Sequence, residues 1–227
     1  MIMNKLYLEP SNLSDDIVIS EDTTLRYFLA KTELEEKQNL GILVKENVTL
    51  DFTMVDFSIN NISMNLDVQL ERGAKVIVSL ASIGFSSIQK IFHMNVRHME
   101  SDTYSRVNMS GINTGDGILK FLGNSHIVNG AHRSDTRQEG KITNLSSDCK
   151  SEVSPSLLIK ENDVSASHGA ALGAYNPDQL FYLMTRGLSM DEAKKLITFG
   201  TLLPMIEKLQ DEALVSQAKN FLEALDI

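Results

Sequence analysis

Tryptophan is absent from this 227-residue chain, and aromatic residues make up only 6% of it. A core must therefore rest on Ile, Leu, Val and Met, and the 42% hydrophobic content is enough to build one. There is a single cysteine, Cys149, which excludes an internal disulfide and any all-cysteine metal site within one chain. Positive charge is scarce: 21 Lys and Arg face 30 Asp and Glu, for a net charge of −9. Such a chain cannot neutralise a run of phosphates, so no nucleic-acid partner is expected. No stretch approaches the roughly 20 apolar residues of a membrane helix. The opening Met1–Pro10 has no charged n-region and no long apolar run. The chain reads as soluble and cytoplasmic, with no membrane partner.

Several catalytic signatures are also missing. There is no Gly-x-x-x-x-Gly-Lys-Ser/Thr loop, so the chain is not expected to hydrolyse nucleotides. Nor is there a Gly-x-Gly-x-x-Gly fingerprint, a Gly-x-Ser-x-Gly elbow or a His-Glu-x-x-His pair. The expectation is a protein that is not an enzyme.

What is present changes character near residue 174. Before it, apolar residues alternate with polar ones: Leu66, Val68, Leu70; Phe92, Met94, Val96; Ser105, Val107, Met109. Turn residues separate these runs, as at Gly115-Asp116-Gly117 and Asn129-Gly130. No capped helical pattern intervenes between about 40 and 170, which argues against a crossover α/β sheet. Two architectures remain, an antiparallel sandwich or barrel and a β-solenoid. Asn-Gly favours the first as a hairpin turn, whereas irregular spacing and Asn or Ser beside strands suit stacked coils. Residues 20–39 read two ways: Ser20-Glu21-Asp22 can cap a helix, and Thr23–Phe28 can form a strand.

After 174 the spacing is helical. Asn176-Pro177-Asp178-Gln179 opens one helix and Gly187 stops it. Ser189-Met190-Asp191-Glu192 is a capping box for a second, which Pro204 should kink. A third runs from about Asp211, with Leu214, Ala218, Phe221, Leu222 and Leu225 on one face.

The five histidines are dispersed. His93 and His98, five apart, fall on opposite faces of a strand and cannot share a metal without a bend. His126 and His132 flank the Asn129-Gly130 turn and could converge. Lys150 beside Cys149 could lower its thiol pKa, but a lone cysteine usually serves as a small buried hydrophobe. Asp148 and Glu152, four apart, would share one side of a strand, as a carbohydrate-active β-helix would need. His168 stands out, in the small-residue run Val164-Ser165-Ala166-Ser167-His168-Gly169-Ala170-Ala171 at the junction of the two parts.

The stretch Pro155–Gly173, followed by Asp178-Gln179-Leu180-Phe181-Tyr182-Leu183-Met184-Thr185-Arg186-Gly187, resembles the SufB/SufD family, on its SufD side. That family's scaffold proteins serve iron–sulfur cluster assembly. Its pattern runs Pro-x-Leu-x-Ile, then Asp-Val-x-Cys-Ser-His-Gly-Ala, then Leu-Phe-Tyr-Leu-x-Ser-Arg-Gly-Ile. A fainter similarity extends back through Gln138, Ser134, Ala131, Ile127 and Gly123. Here Ala166 replaces the family cysteine, Ala171 the threonine, and Thr185 the serine. Gly140 falls where the SufB cysteine would be. The chain is also shorter than family members that carry an N-terminal helical domain.

The resemblance implies a mainly β fold: a right-handed parallel β-helix core over 1–173, with residues 1–40 ambiguous, and a small α-helical domain over 174–227. It implies a scaffold subunit working with a SufB-like subunit or a second copy of itself, and with a SufC-like ATPase. The ATPase would dock through Leu180, Phe181, Tyr182, Leu183, Arg186 and Gly187. An iron–sulfur cluster would form transiently at a subunit interface, with His168 as the cluster-assembly residue and metal ligand. Nothing in the sequence addresses a flavin. A degenerate paralogue that docks without cluster chemistry, and a carbohydrate-binding or carbohydrate-active β-helix, are the alternatives.

Overall fold

A computed structural model describes residues 4–7, 16–29 and 37–225. Thirteen strands run in chain order: β1 (Asn4–Tyr7), β2 (Asp16–Ile19), β3 (Thr23–Leu29), β4 (Lys37–Val44), β5 (Thr49–Asp56), β6 (Ile62–Leu70), β7 (Lys75–Gly84), β8 (Gln89–His98), β9 (Tyr104–Asn113), β10 (Ile118–Ile127), β11 (Ser134–Asn144), β12 (Lys150–Ile159) and β13 (Val164–Ala174). Three helices follow: α1 (Pro177–Thr185), α2 (Met190–Ile206) and α3 (Glu212–Ala224).

Odd strands form one seven-stranded sheet and even strands a six-stranded one, and every pairing is parallel. The chain therefore winds as a β-solenoid of about five turns, and the antiparallel alternative is excluded. Paired residues sit 19 positions apart at one end (Asn4 with Thr23) and 32 toward the other (Ile118 with Lys150). That drift is why no clean repeat shows in the sequence. Residues 23–29 are strand β3, clamped between β1 and β5, so tertiary pairing overrides the helix-capping signal at Ser20. Residues 30–36 of the ambiguous stretch lie outside the described residues.

Several corners share one device. Val48, Ala74 and Ala131 each donate a backbone N–H to the carbonyl three residues before. The third residue of each turn, Asn47, Gly73 or Gly130, has positive φ. Asn129-Gly130 is thus a coil corner joining two sheets, not a hairpin. Gly73 could not be replaced cheaply: its φ is +67°, and an added Cβ would lie 2.3 Å from Asn47 Oδ1.

Alternate residues point inward, so Leu66, Val68, Leu70, Val76, Val78, Phe92, Met94 and Val96 are all at most 1% exposed. Each such side chain contributes about 1.5–3 kcal/mol on burial. Two inward positions, Asp56 and Lys90, are charged. Lys90 Nζ donates to Asp56 Oδ2 (2.7 Å) and Ser58 O (2.6 Å), and both charged side chains are 0% exposed. Asp56 also accepts from the Ser58 N–H and hydroxyl and from Ser82 Oγ. Burial pushes the Lys90 ammonium below its ordinary range, against the pull of Asp56. The pair persists because its hydrogen-bonding capacity is met.

In the later coils the inner surface turns polar. His98 bonds Thr103 Oγ1 through Nδ1 (2.7 Å) and Ser105 Oγ through Nε2 (2.9 Å). Thr103 continues to Ser134, and Ser105 to Thr136 and then Ser125. Burial holds the His98 imidazole down to about 4, outweighing the attraction of Asp135.

The helices cover the outer face of the odd-strand sheet. Leu202, Ile206, Leu209, Ala218 and Leu222 pack on Val55, Phe57, Ala81, Ile83 and Ile112. Phe221 stacks on Phe57, ring centroids 5.4 Å apart. Pro204 lies inside α2, two residues before it gives way to a 3-10 turn at Glu207–Leu209.

Two outcomes are expected. Asp56→Asn strands a buried ammonium and should cost about 3–5 kcal/mol in urea unfolding, and adding Lys90→Met should recover much of that loss. His98 is neutral in the folded chain until about pH 4, whereas the unfolded chain protonates it near its ordinary 6.5. Its contribution is complete above pH 6.5 and falls as pH drops toward 4, by at most about 3 kcal/mol. Wild type should therefore lose stability faster than His98→Gln across that window; parallel curves would refute the buried neutral imidazole.

Candidate functional site at the open end of the solenoid

Strands β12 and β13 form the last coil, and among the described residues no coil covers them. Ile159 pairs in register with Ile127, and Leu172 with Ile142. The covered members are 0% and 1% exposed, their partners 39% and 50%. Identical positions in the coil are thus core in one layer and surface in the next. The edges of β12 and β13 also leave backbone groups available to another strand.

His168 lies at this end. Its register partner is Gln138, in the inward column that runs Leu25, Phe52, Val78, Val107. His168 is exposed and makes no hydrogen bond among the described residues. Directly beneath it Gln138 is buried. Its Nε2 donates to Ser125 Oγ (2.5 Å) and Ser156 O (3.2 Å), while its Oε1 is unpartnered. The imidazole therefore caps the polar interior that starts at His98. Sequence reading placed His168 at a corner between the two parts. The structure instead puts it mid-strand, ten residues after Leu158 in chain order, on the inward face of β13. The polar column beneath it is signalled in the sequence only by Ser105, Thr136 and Gln138 at inward positions.

The other candidates do not gather here. Cys149 sits in the turn before β12, its Sγ donating to Asn113 O (3.2 Å). His93 and His98 face opposite ways, one half-buried on the outer face of the even-strand sheet and the other inside. His132 meets Glu161 at 3.3 Å, and Glu152 is taken by Lys120. No group of three His, Cys, Asp or Glu side chains among the described residues could hold a metal ion. Ala166 and Gly140 share the inward face with His168. A Cβ on Gly140 would fall 2.6 Å from Val153 Cγ1, so packing leaves no room for a side chain there.

Helix α1 is the second candidate surface. Asn176 caps it, accepting from the Asp178 N–H. It ends in a Schellman turn: Gly187, at φ +98°, donates to Met184 O, and Leu188 to Leu183 O. None of its residues is buried, with Phe181 70% and Tyr182 55% exposed. Arg186 lies over the Tyr182 ring, 5.1 Å from its centroid. Leu180 and Leu183 are half-buried, with Leu183 turned toward α2.

Among known sequences, the profile described as SUF system FeS cluster assembly, SufBD core domain, matches residues 16–201. Iron-sulfur cluster assembly protein SufD of Bacillus subtilis is 37% identical over 103 residues, 45% of this chain and 24% of that protein. The chloroplastic protein ABCI7 of Arabidopsis thaliana is 22% identical over 226 residues, 92% of this chain and 45% of its own. An iron-sulfur cluster assembly SufBD family protein of Staphylococcus epidermidis is 26% identical over 205 residues, 87% and 43%. The chain spans less than half the length of each of these relatives. A profile match over most of the chain, on a solenoid with parallel sheets, makes this protein a member of the SufBD family of iron–sulfur cluster assembly proteins.

Proposed function

We propose that the protein is a SufD-like, non-catalytic scaffold subunit of a cytoplasmic Suf assembly complex, acting with a SufB-like subunit and a SufC-like ATPase. The observation that carries this reading is the uncovered last coil, with an unpartnered imidazole at its centre and apolar side chains around it. An edge of this kind suits strand addition by another subunit. A neutral imidazole can bind iron or move a proton near physiological pH. The cluster is cargo in this scheme. With Ala166 and Gly140 beside His168, thiolate ligands would come from the partner. The exposed rings of α1 support an ATPase dock at Phe181 and Tyr182, with Leu180, Leu183 and Gly187 shaping the helix rather than the contact.

Two experiments test this. In the reconstituted complex, His168→Ala should lower cluster formation several-fold, read by absorption and iron content. The melting temperature should barely move, because an exposed side chain without partners contributes within about 0.5 kcal/mol. Unchanged cluster yield per folded complex would instead favour the degenerate paralogue that docks without chemistry. Phe181→Asp with Tyr182→Asp should abolish co-purification with the ATPase and leave the fold intact. Deleting 175–227 is a poorer test, since α2 and α3 cover Val55, Phe57, Ala81 and Ile83. Undiminished ATPase binding by the double variant would remove α1 as the dock.

A further inference from the structure

A groove lies on the outer face of the odd-strand sheet, between β9, β11 and β13 on one side and α1 and α2 on the other. It has two contiguous parts, of about 540 and about 390 Å³, and Ser110 and Lys141 line both. The larger lies within the range of small-molecule sites, roughly 300–1,000 Å³. Its floor is polar and its wall, at Leu183, Leu196 and Ile197, apolar.

The charge at the floor lacks the cross-coil acid that several outward cations have. Four outward cations meet an acid one coil away: Arg26 with Asp51, Arg97 with Asp67, Arg106 with Asp135 and Lys120 with Glu152. Lys141 has Ser110 and Ala171 as its coil neighbours, and neither can answer its charge. The acid nearest on its own strand, Glu139, is held by Arg137. Lys141 thus has no carboxylate partner among the described residues, in a chain with nine more acids than bases. Two residues along, Thr143 is only 7% exposed, yet its hydroxyl makes no hydrogen bond there. It lines the same cavity, as does Ser110, whose hydroxyl is likewise unpartnered. One cation and two free hydroxyls converge where an apolar wall begins.

We propose that this groove binds a small amphipathic organic acid. Its anionic head lies against Lys141, Ser110 and Thr143, and its apolar body runs along Leu183, Leu196 and Ile197. The site is separate from the His168 end: neither part of the groove is lined by His168, and the larger part meets β13 only at its last residue, Ala174.

Octanoate is the probe, with octanol as the neutral control of equal chain length, titrated into the full chain by calorimetry and ligand-observed NMR. Octanoate should bind, and Lys141→Met should weaken it about tenfold or more while leaving octanol unchanged. Gly200→Leu should block both. Gly200 lines the groove, and a Cβ built there meets no atom within 4 Å, so the new side chain can fill the cavity without strain. No binding of octanoate up to about 10 mM would overturn the proposal. So would equal affinity in wild type and both variants, which would move the binding to the apolar coil end.

Discussion

Every coil of this solenoid depends on the next for its burial. A single coil presents one inward row per strand and cannot enclose it, so the core exists only between layers. The Ile127–Ile159 and Ile142–Leu172 pairs show the consequence directly. The same register and the same kind of side chain give core in one layer and surface in the next. The last coil therefore carries apolar side chains, strand edges and the His168 imidazole together, because stacking stops there. The candidate site is where the architecture is left incomplete, rather than a cleft cut into it.

The same stacking governs where polar groups can go. Inward polar groups are held by hydrogen bonds, as with Asp56 and Lys90, or as a chain of hydroxyls around His98. That chain reaches Gln138, directly below His168, and leaves Gln138 Oε1 unmatched. An unsatisfied buried acceptor has a cost, so the end of the polar column is incompletely settled. At several outward positions a cation meets an acid across one coil spacing, as Arg26 meets Asp51 and Arg106 meets Asp135. Lys141 has no such acid, and it lines a groove.

The helices add a second layer to one sheet only. Their contact with Val55, Phe57, Ala81 and Ile83 joins them to the β body through a common apolar core. Tyr175 strengthens the joint, its hydroxyl lying 3.2 Å from both Lys194 O and Thr198 Oγ1. Helix α1 takes no part in that burial. Its caps and its Schellman turn fix its ends locally, which leaves Phe181 and Tyr182 free to face outward.

Local signals carried much of this protein. Alternation at Leu66–Leu70, Phe92–Val96 and Ser105–Met109 specified strands and their inner faces, because side chains on a strand repeat every two residues. The caps at Asn176 and Ser189 and the stop at Gly187 specified helices, because their hydrogen bonds close within four residues. The linked motifs around His168 and Leu180–Gly187 specified the family. Tertiary structure decided the rest. Whether Asn129-Gly130 makes a hairpin or a coil corner depends on which strand lies alongside, a partner some 30 residues away. The spacing between coils drifts from 19 to 32, so no repeat announces the partner. Thr23–Leu29 became a strand for the same reason, since pairing with β1 and β5 outweighed a helix cap. That Gln138 lies beneath His168, that Lys90 finds Asp56, and that Lys141 finds no acid are facts of register between coils, and register is set by layers the local sequence does not see.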